Sequence, residues 1–195
     1  MSQRGIKRPR RVNKTMTKEE KFVVYPLIRW FKSQKADWKL HKPRYGTAAT
    51  GWDLEASRKN KDLLVEAKYI NGPFLASFAG MITAPLANRP QHFIVRQYRG
   101  WSYSICWAIG ANYAQRNLYQ LLFDYFARNL HFYKHYVRDL RIKYIFFIEN
   151  GKVARVTFDK ILLRANLYKF RASRKDLSER RKVANELIRP LLKFV

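Results

Sequence analysis

Asp62-Leu63-Leu64-Val65-Glu66-Ala67-Lys68-Tyr69-Ile70 follows Trp52-Asp53-Leu54-Glu55-Ala56-Ser57 across the charged turn Arg58-Lys59-Asn60-Lys61. Both stretches read as β-strands, 52–57 and 62–70, the second closed by Asn71-Gly72-Pro73. Side chains alternate along a strand, so Leu63, Val65, Ala67 and Tyr69 make one face, a core face. Asp62, Leu64, Glu66, Lys68 and Ile70 make the other. A glutamate and a lysine stand in the middle of an otherwise apolar strand. Leaving either buried without a partner is costly, so this face must meet solvent, an ion pair or a metal. Asp53 and Glu55 share one face of the preceding strand, and either carboxylate is a candidate to face Glu66.

Working outward, residues 37–43 read as a first strand, joined through a polar turn from Gly46 to Gly51. Before it, Thr17-Lys18-Glu19-Glu20 forms a capping-box pattern, with Thr17 as N-cap and Glu20 three residues on. An amphipathic helix is predicted to about Gln34, with Val23, Val24, Leu27, Ile28 and Phe31 inward. Pro26 falls inside it and implies either a kink or a helix that restarts at the proline. After the hairpin, 74–87 is predicted helical, and Gln91–Tyr98 and Trp101–Ile109 are predicted strands. In the latter, Trp101, Tyr103, Ile105, Trp107 and Ile109 take one face, which reads as core. Small residues (Ser102, Ser104, Cys106, Ala108) take the other, where a helix can pack closely. Residues 111–140 read as one or two helices. Ile142–Ile148 and Val153–Phe158 flank Asn150-Gly151, a type I′ hairpin signal. A final basic helix is predicted from a Ser173 cap to about Phe194, broken near Pro190. The order gives an α/β chain, a mixed central sheet with flanking helices.

The 195 residues suit one domain, and 47% hydrophobic content supports a packed core. No run of about eighteen apolar residues is present, so no membrane span is expected. The basic N-terminus lacks the apolar core of a secretory signal. A single Cys106 excludes an internal disulfide and a cysteine zinc framework. These features point to an intracellular, reducing compartment: cytoplasm or nucleoid, or the nucleus in a eukaryote. Forty Lys+Arg against fourteen Asp+Glu give a net charge of +26, and a polyanion is the partner that balances it. Nucleic acid leads. DNA is the expected partner, with RNA left open and anionic membrane a poor alternative.

Asp53 and Glu66 are hard oxygen ligands of the kind Mg²⁺ takes, with the Ala67 backbone carbonyl between Glu66 and Lys68 as a further donor. Such a metal polarises a phosphodiester and acidifies a bound water, and Lys68 can steer that water or offset phosphate charge. A capped helix with a glutamate, a strand with Asp, then a strand with Glu-x-Lys resembles the PD-(D/E)xK nuclease superfamily, closest to its Holliday-junction-resolvase-like branch. The resemblance covers about residues 17–70. It implies a restriction-endonuclease-like core over about 17–110, with residues 111–195 as helical and hairpin elaboration of one domain spanning 15–195. It also implies a metal-dependent endonuclease acting on DNA, including branched or structured DNA, with Mg²⁺ as cofactor and Mn²⁺ as a substitute. Asp53 and Glu66 would be metal ligands and Lys68 the catalytic lysine. Glu20 would complete the acidic cluster, because apolar residues follow it at +3, +4 and +7 (Val23, Val24, Leu27). Glu19 fails that test, since its +7 position is Pro26. The alternative is a non-catalytic DNA- or RNA-binding protein that keeps these charges as vestiges.

Residues 1–14 carry six cations and no acid and read as a flexible arm, with Arg8, Arg10 and Arg11 as phosphate contacts. Arg174, Lys175, Arg180, Arg181 and Lys182 on the last helix are candidates to track a phosphate backbone, or form a solvated face. Cutting both strands favours a homodimer, with 111–140 as the place for its interface. His131 and His135 sit at i, i+4 without a third ligand, and Cys106 reads as buried.

Overall fold

The structure, a computed structural model, describes residues 16–41, 52–71, 102–111, 117–131, 133 and 142–195. A six-stranded mixed sheet runs in chain order β1-β2-β3-β4-β5-β6. Its strands are β1 (Lys39–His41), β2 (Leu54–Arg58), β3 (Lys61–Ile70), β4 (Ser102–Ala111), β5 (Ile142–Glu149) and β6 (Lys152–Thr157). The first three form an antiparallel meander. β3, β4 and β5 are parallel, and β6 returns antiparallel. The chain is thus mixed α/β, as its element order implies. The predicted helix 74–87, the strand 91–98, Trp101 and the basic arm 1–14 lie outside the described residues. No helix among the described residues is long and apolar enough to cross a membrane.

Each face of the sheet carries its own core. On one face, α1 (Tyr25–Ser33) and the turn before it set Val23, Val24, Leu27 and Phe31 on Leu54, Ala56, Leu63, Val65, Ala67, Cys106 and Ala108. Burial of each such apolar side chain contributes about 1.5–3 kcal/mol. The small face of β4 lets α1 approach closely. A Cβ at Gly110 would stand 2.8 Å from Val23 Cγ2 and 3.3 Å from the Phe22 carbonyl oxygen. On the other face, Leu64, Ile70, Ile105, Trp107 and Ile109 pack against α2 (Leu118–Arg128), α3 (Phe158–Ala172) and α4 (Leu177–Ile188). Trp107 is fully buried, which bears out the core reading of its strand face. Asp124 of α2 accepts a hydrogen bond from the Tyr168 hydroxyl of α3 at 2.8 Å and is paired with Arg180 of α4, so one carboxylate ties three helices together.

The capping box forms as read. Thr17 N–H donates to Glu20 Oε2 at 2.8 Å, and Glu20 N–H donates to Thr17 Oγ1 at 3.1 Å. The helix that follows is not regular. Glu20–Val24 is a π-turn, closed by Tyr25 N–H on the Glu20 carbonyl, and Pro26 sits in the first turn of α1 just after it. Proline brings no N–H for the carbonyl four residues back, and the wider turn ends where that donor is missing. Asn150 and Gly151 adopt φ values of 53° and 77°, the left-handed pair that the hairpin turn requires.

Two sequence-based assignments are corrected. α3, over Phe158–Ala172, stands where no helix was expected. Ser173 is not an N-cap, because its backbone is still helical at the end of α3; the cap of α4 is Asp176, whose side chain accepts from Glu179 N–H at 2.8 Å. α2 packs Leu118, Leu122, Phe123 and Phe126 into the chain's own core. Leu163, Leu167 and Phe170 on α3 are exposed at helical spacing.

Candidate active site

The hairpin places its charged residues by register. Leu54 pairs with Val65 and Glu55 with Leu64, so continuing one step sets Asp53 opposite Glu66. Glu55 faces Leu64 on one side and His41 of β1 on the other, so Asp53 and not Glu55 lies opposite Glu66. β2 begins at Leu54, and Asp53 extends its ladder by one residue. Asp53 N–H donates to the Val65 carbonyl at 3.0 Å, and Asp53 Oδ2 accepts from Ala67 N–H at 2.7 Å. The N–H and C=O of one strand residue point to the same side in the sheet plane. The Ala67 carbonyl therefore also points toward the Asp53 side.

Glu66 occupies a poor environment for charge. It stands beside Trp107 in the parallel ladder, on the face that carries Leu64 and Ile70. Its Oε2 is buried and has no hydrogen-bond partner among the described residues. Burial first, and the neighbouring Asp53 charge second, push its carboxyl up to about 8, while Lys68 pulls it back in part. Lys68, two residues on, is held the other way. Its Nζ lies 2.9 Å from Glu19 Oε1, with both side chains about one-third exposed (35% and 31%). The hydrogen bond to Glu19 raises the Lys68 pKa more than burial lowers it. Lys68 is thus an ammonium at neutral pH, while Glu66 remains largely protonated.

Among the helix acids, Glu19 rather than Glu20 meets the hairpin. Glu20 is engaged with Thr17 at the helix start. The π-turn supplies the reason. One extra residue between Glu19 and the buried Val23, Val24 and Leu27 shifts every preceding side chain by one position around the axis. Glu19 therefore takes the place that a regular helix assigns to Glu20. Pro26 is the mark of this in the sequence: by register it counts against Glu19, whereas its presence signals that the register is broken.

A cavity of about 680 Å³ opens at the carboxyl ends of the parallel strands, lined there by Tyr69, Asn71, Ala111 and Ile148, and none of Asp53, Glu66, Lys68 or Glu19 lines it. Lys18, Lys21 and Arg29 line it, and among the described residues no carboxylate does. Phe22 stacks on Tyr69 with ring centroids 5.0 Å apart and is 41% exposed, and the Lys21 ammonium lies over its ring at 5.1 Å.

The remaining candidates are spread out. Arg8, Arg10 and Arg11 lie outside the described residues. Arg180 is turned to Asp124 and to the Tyr168 hydroxyl. Lys175 pairs with Glu179 at 3.5 Å, Arg174 and Lys182 are exposed, and Arg181 is half-buried. Among the described residues, no three His, Cys, Asp or Glu side chains are gathered closely enough to hold a metal by themselves. No protein-family model, no curated protein and no solved structure matches this chain.

Proposed function

We propose that the chain is a Mg²⁺-dependent nuclease that hydrolyses DNA phosphodiester bonds at the Asp53, Glu66 and Lys68 patch, on a restriction-endonuclease-like core. The observation that carries the reading is the buried, unpartnered Glu66 Oε2 beside a second carboxylate and beside a strand carbonyl directed the same way. A buried carboxyl with no donor is an incomplete arrangement, and a hard cation is the partner that completes it. Asp53, Glu66 and the Ala67 carbonyl would hold the ion. Mg²⁺ keeps several waters in its shell, so two carboxylates and one carbonyl suit it, and Mn²⁺ takes the same donors. When bound, the ion supplies Lewis acidity to the phosphodiester and lowers the pKa of a coordinated water.

The chain's own residues divide the remaining work. Lys68, protonated, donates to a phosphate oxygen and offsets charge that builds in the transition state. Glu19 is a positioning residue that fixes the Lys68 ammonium by its ion pair. Lys18, Lys21 and Arg29 contact the flanking backbone. Helix α1 followed by the β1–β3 meander and a parallel β4 supports the restriction-endonuclease-like assignment.

A second reading rests on the 2.9 Å Glu19–Lys68 pair, which by itself locks the start of the helix onto the hairpin without any chemistry. Incubation with duplex, branched and single-stranded DNA, and with RNA, in Mg²⁺, Mn²⁺ or EDTA separates the two. The nuclease reading expects cutting only with metal, reduced about 100-fold or more in Glu66→Ala and Lys68→Ala, while DNA binding in EDTA persists. Binding with no cutting of any substrate would overturn it in favour of the second.

A further inference from the structure

At the opposite end of the sheet lies a second cavity, about 780 Å³, that the proposed chemistry does not use. Its floor is the part of the sheet that α1 leaves uncovered. α1 and the turn before it cover Cys106, Ala108 and Gly110 of β4, whereas Ser104 opens into the cavity beside Leu63 and Tyr144. Its rim is Arg58, Lys59, Lys61, Lys143 and Arg155, and among the described residues no carboxylate lines it. Five cations around one opening repel one another, and that arrangement is balanced only when an anion sits among them.

We infer that this cleft is a second nucleic-acid site that grips the sugar–phosphate backbone, distinct from the candidate active site. Two further observations set the class of ligand. The Tyr144 ring at the cleft is already taken by its cations. The Arg155 guanidinium lies over Tyr144 at 5.1 Å and over Trp30 at 5.6 Å, and Lys143 lies over Tyr144 at 5.5 Å. Tyr144 needs no base to cover it, and a rim of five cations suits phosphates, so the site reads the backbone and is indifferent to sequence and to strandedness. The hairpin tip is also built to present charge. Lys59 holds a left-handed φ of 52°, a conformation that favours Gly or Asn over Lys. The tip is tethered, because the Asn60 carbonyl accepts from Ser102 N–H at 2.8 Å and from the Ser102 hydroxyl at 3.3 Å. The cations are therefore held on a fixed edge rather than on a loose loop.

This inference shares the nucleic-acid partner of the proposed function but none of its chemistry, so the experiment is done in EDTA and reads binding alone. Failure of the protein to cut DNA leaves it standing. Labelled duplex and single-stranded DNA of about 30 nucleotides are titrated over a range of salt concentrations. A triple variant, Lys59→Asn, Lys61→Glu and Lys143→Glu, is compared with a control triple variant, Lys160→Glu, Lys169→Glu and Lys193→Glu, whose positions are exposed and lie outside both clefts. Lys59→Asn suits the left-handed turn, and the far-UV spectrum and melting temperature check that both variants fold. The slope of log affinity against log salt should shrink by about 2 to 3 in the cleft variant, at about 0.9 for each phosphate left without its cation in duplex DNA and about 0.7 in single strands. The control should change by less than about 1. Equal losses in the two variants would mean that net charge alone governs binding, and wild-type binding by the cleft variant would mean that the cleft is idle; either result overturns the inference.

Discussion

Glu66 is a carboxyl that burial holds largely protonated at neutral pH. Its folded pKa of about 8 lies above its ordinary value of 4.5, with burial as the first cause and Asp53 as the second. Between those values the unfolded chain gives up this proton and the folded chain keeps it, so metal-free stability falls as pH rises from about 4.5 to about 8, then levels off. Glu66→Gln removes that dependence. In EDTA the variant should match the wild type near pH 4 and melt higher by about 10 °C at pH 9. Parallel melting curves across that range would show that Glu66 is not held neutral. Mg²⁺ should reverse the trend in the wild type only, because binding expels the proton. Asp53, Glu66 and Lys68 were legible from the sequence because strand alternation has a fixed period of two, and charge on an apolar strand stands out. Glu19 was not, because a helix keeps its period only while its turns are regular, and the π-turn between Glu19 and Val24 adds a residue that no periodicity reveals.

At the scale of elements, a close contact joins the turn before α1 to the small face of β4. Gly110→Ala would set a Cβ 2.8 Å from Val23 Cγ2, inside any ordinary contact distance, and the backbone oxygen of Phe22 blocks the alternative. The helix must move or the sheet must bend, at about 1–3 kcal/mol. Urea denaturation measures that cost, and a loss below about 0.5 kcal/mol would mean that α1 rides freely on the sheet. The hairpins were readable from turn chemistry, as Asn150-Gly151 shows. α3 was missed for a physical reason. Thr157 ends β6 and is also the N-cap of α3, so no loop separates strand from helix. Its buried positions, Phe158, Ile161, Leu162, Ala165, Tyr168 and Ala172, do have helical spacing, but Leu163, Leu167 and Phe170 are exposed and apolar and blur the stripe. Ser173 resembled a cap by residue type, yet only the extended backbone at Asp176 has capping geometry.

For the molecule as a whole, the mixed sheet with helices on both faces follows from element order, whereas the two-sided core depends on pairings distant in sequence. The meander of β1–β3 and the hairpin of β5–β6 close locally. The join between β3 and β4 does not. Ten residues of each pair in parallel, and the connection through residues 72–101 must close before they meet. Until then, Leu63 to Val65 on one strand and Ile105 to Ile109 on the other are apolar on both faces and have open backbone edges. The same surfaces that become the centre of the sheet are thus sticky edges while the chain is folding, and a second chain competes with the first for them. Refolding from urea should therefore be slow, and its yield should fall as protein concentration rises through the micromolar range, while nucleic acid added after folding leaves that yield unchanged. A yield independent of concentration would show that β3 and β4 find each other faster than neighbours can intervene. The seam that positions Glu66 and Lys68 is in this way also the step at which production of the protein succeeds or fails.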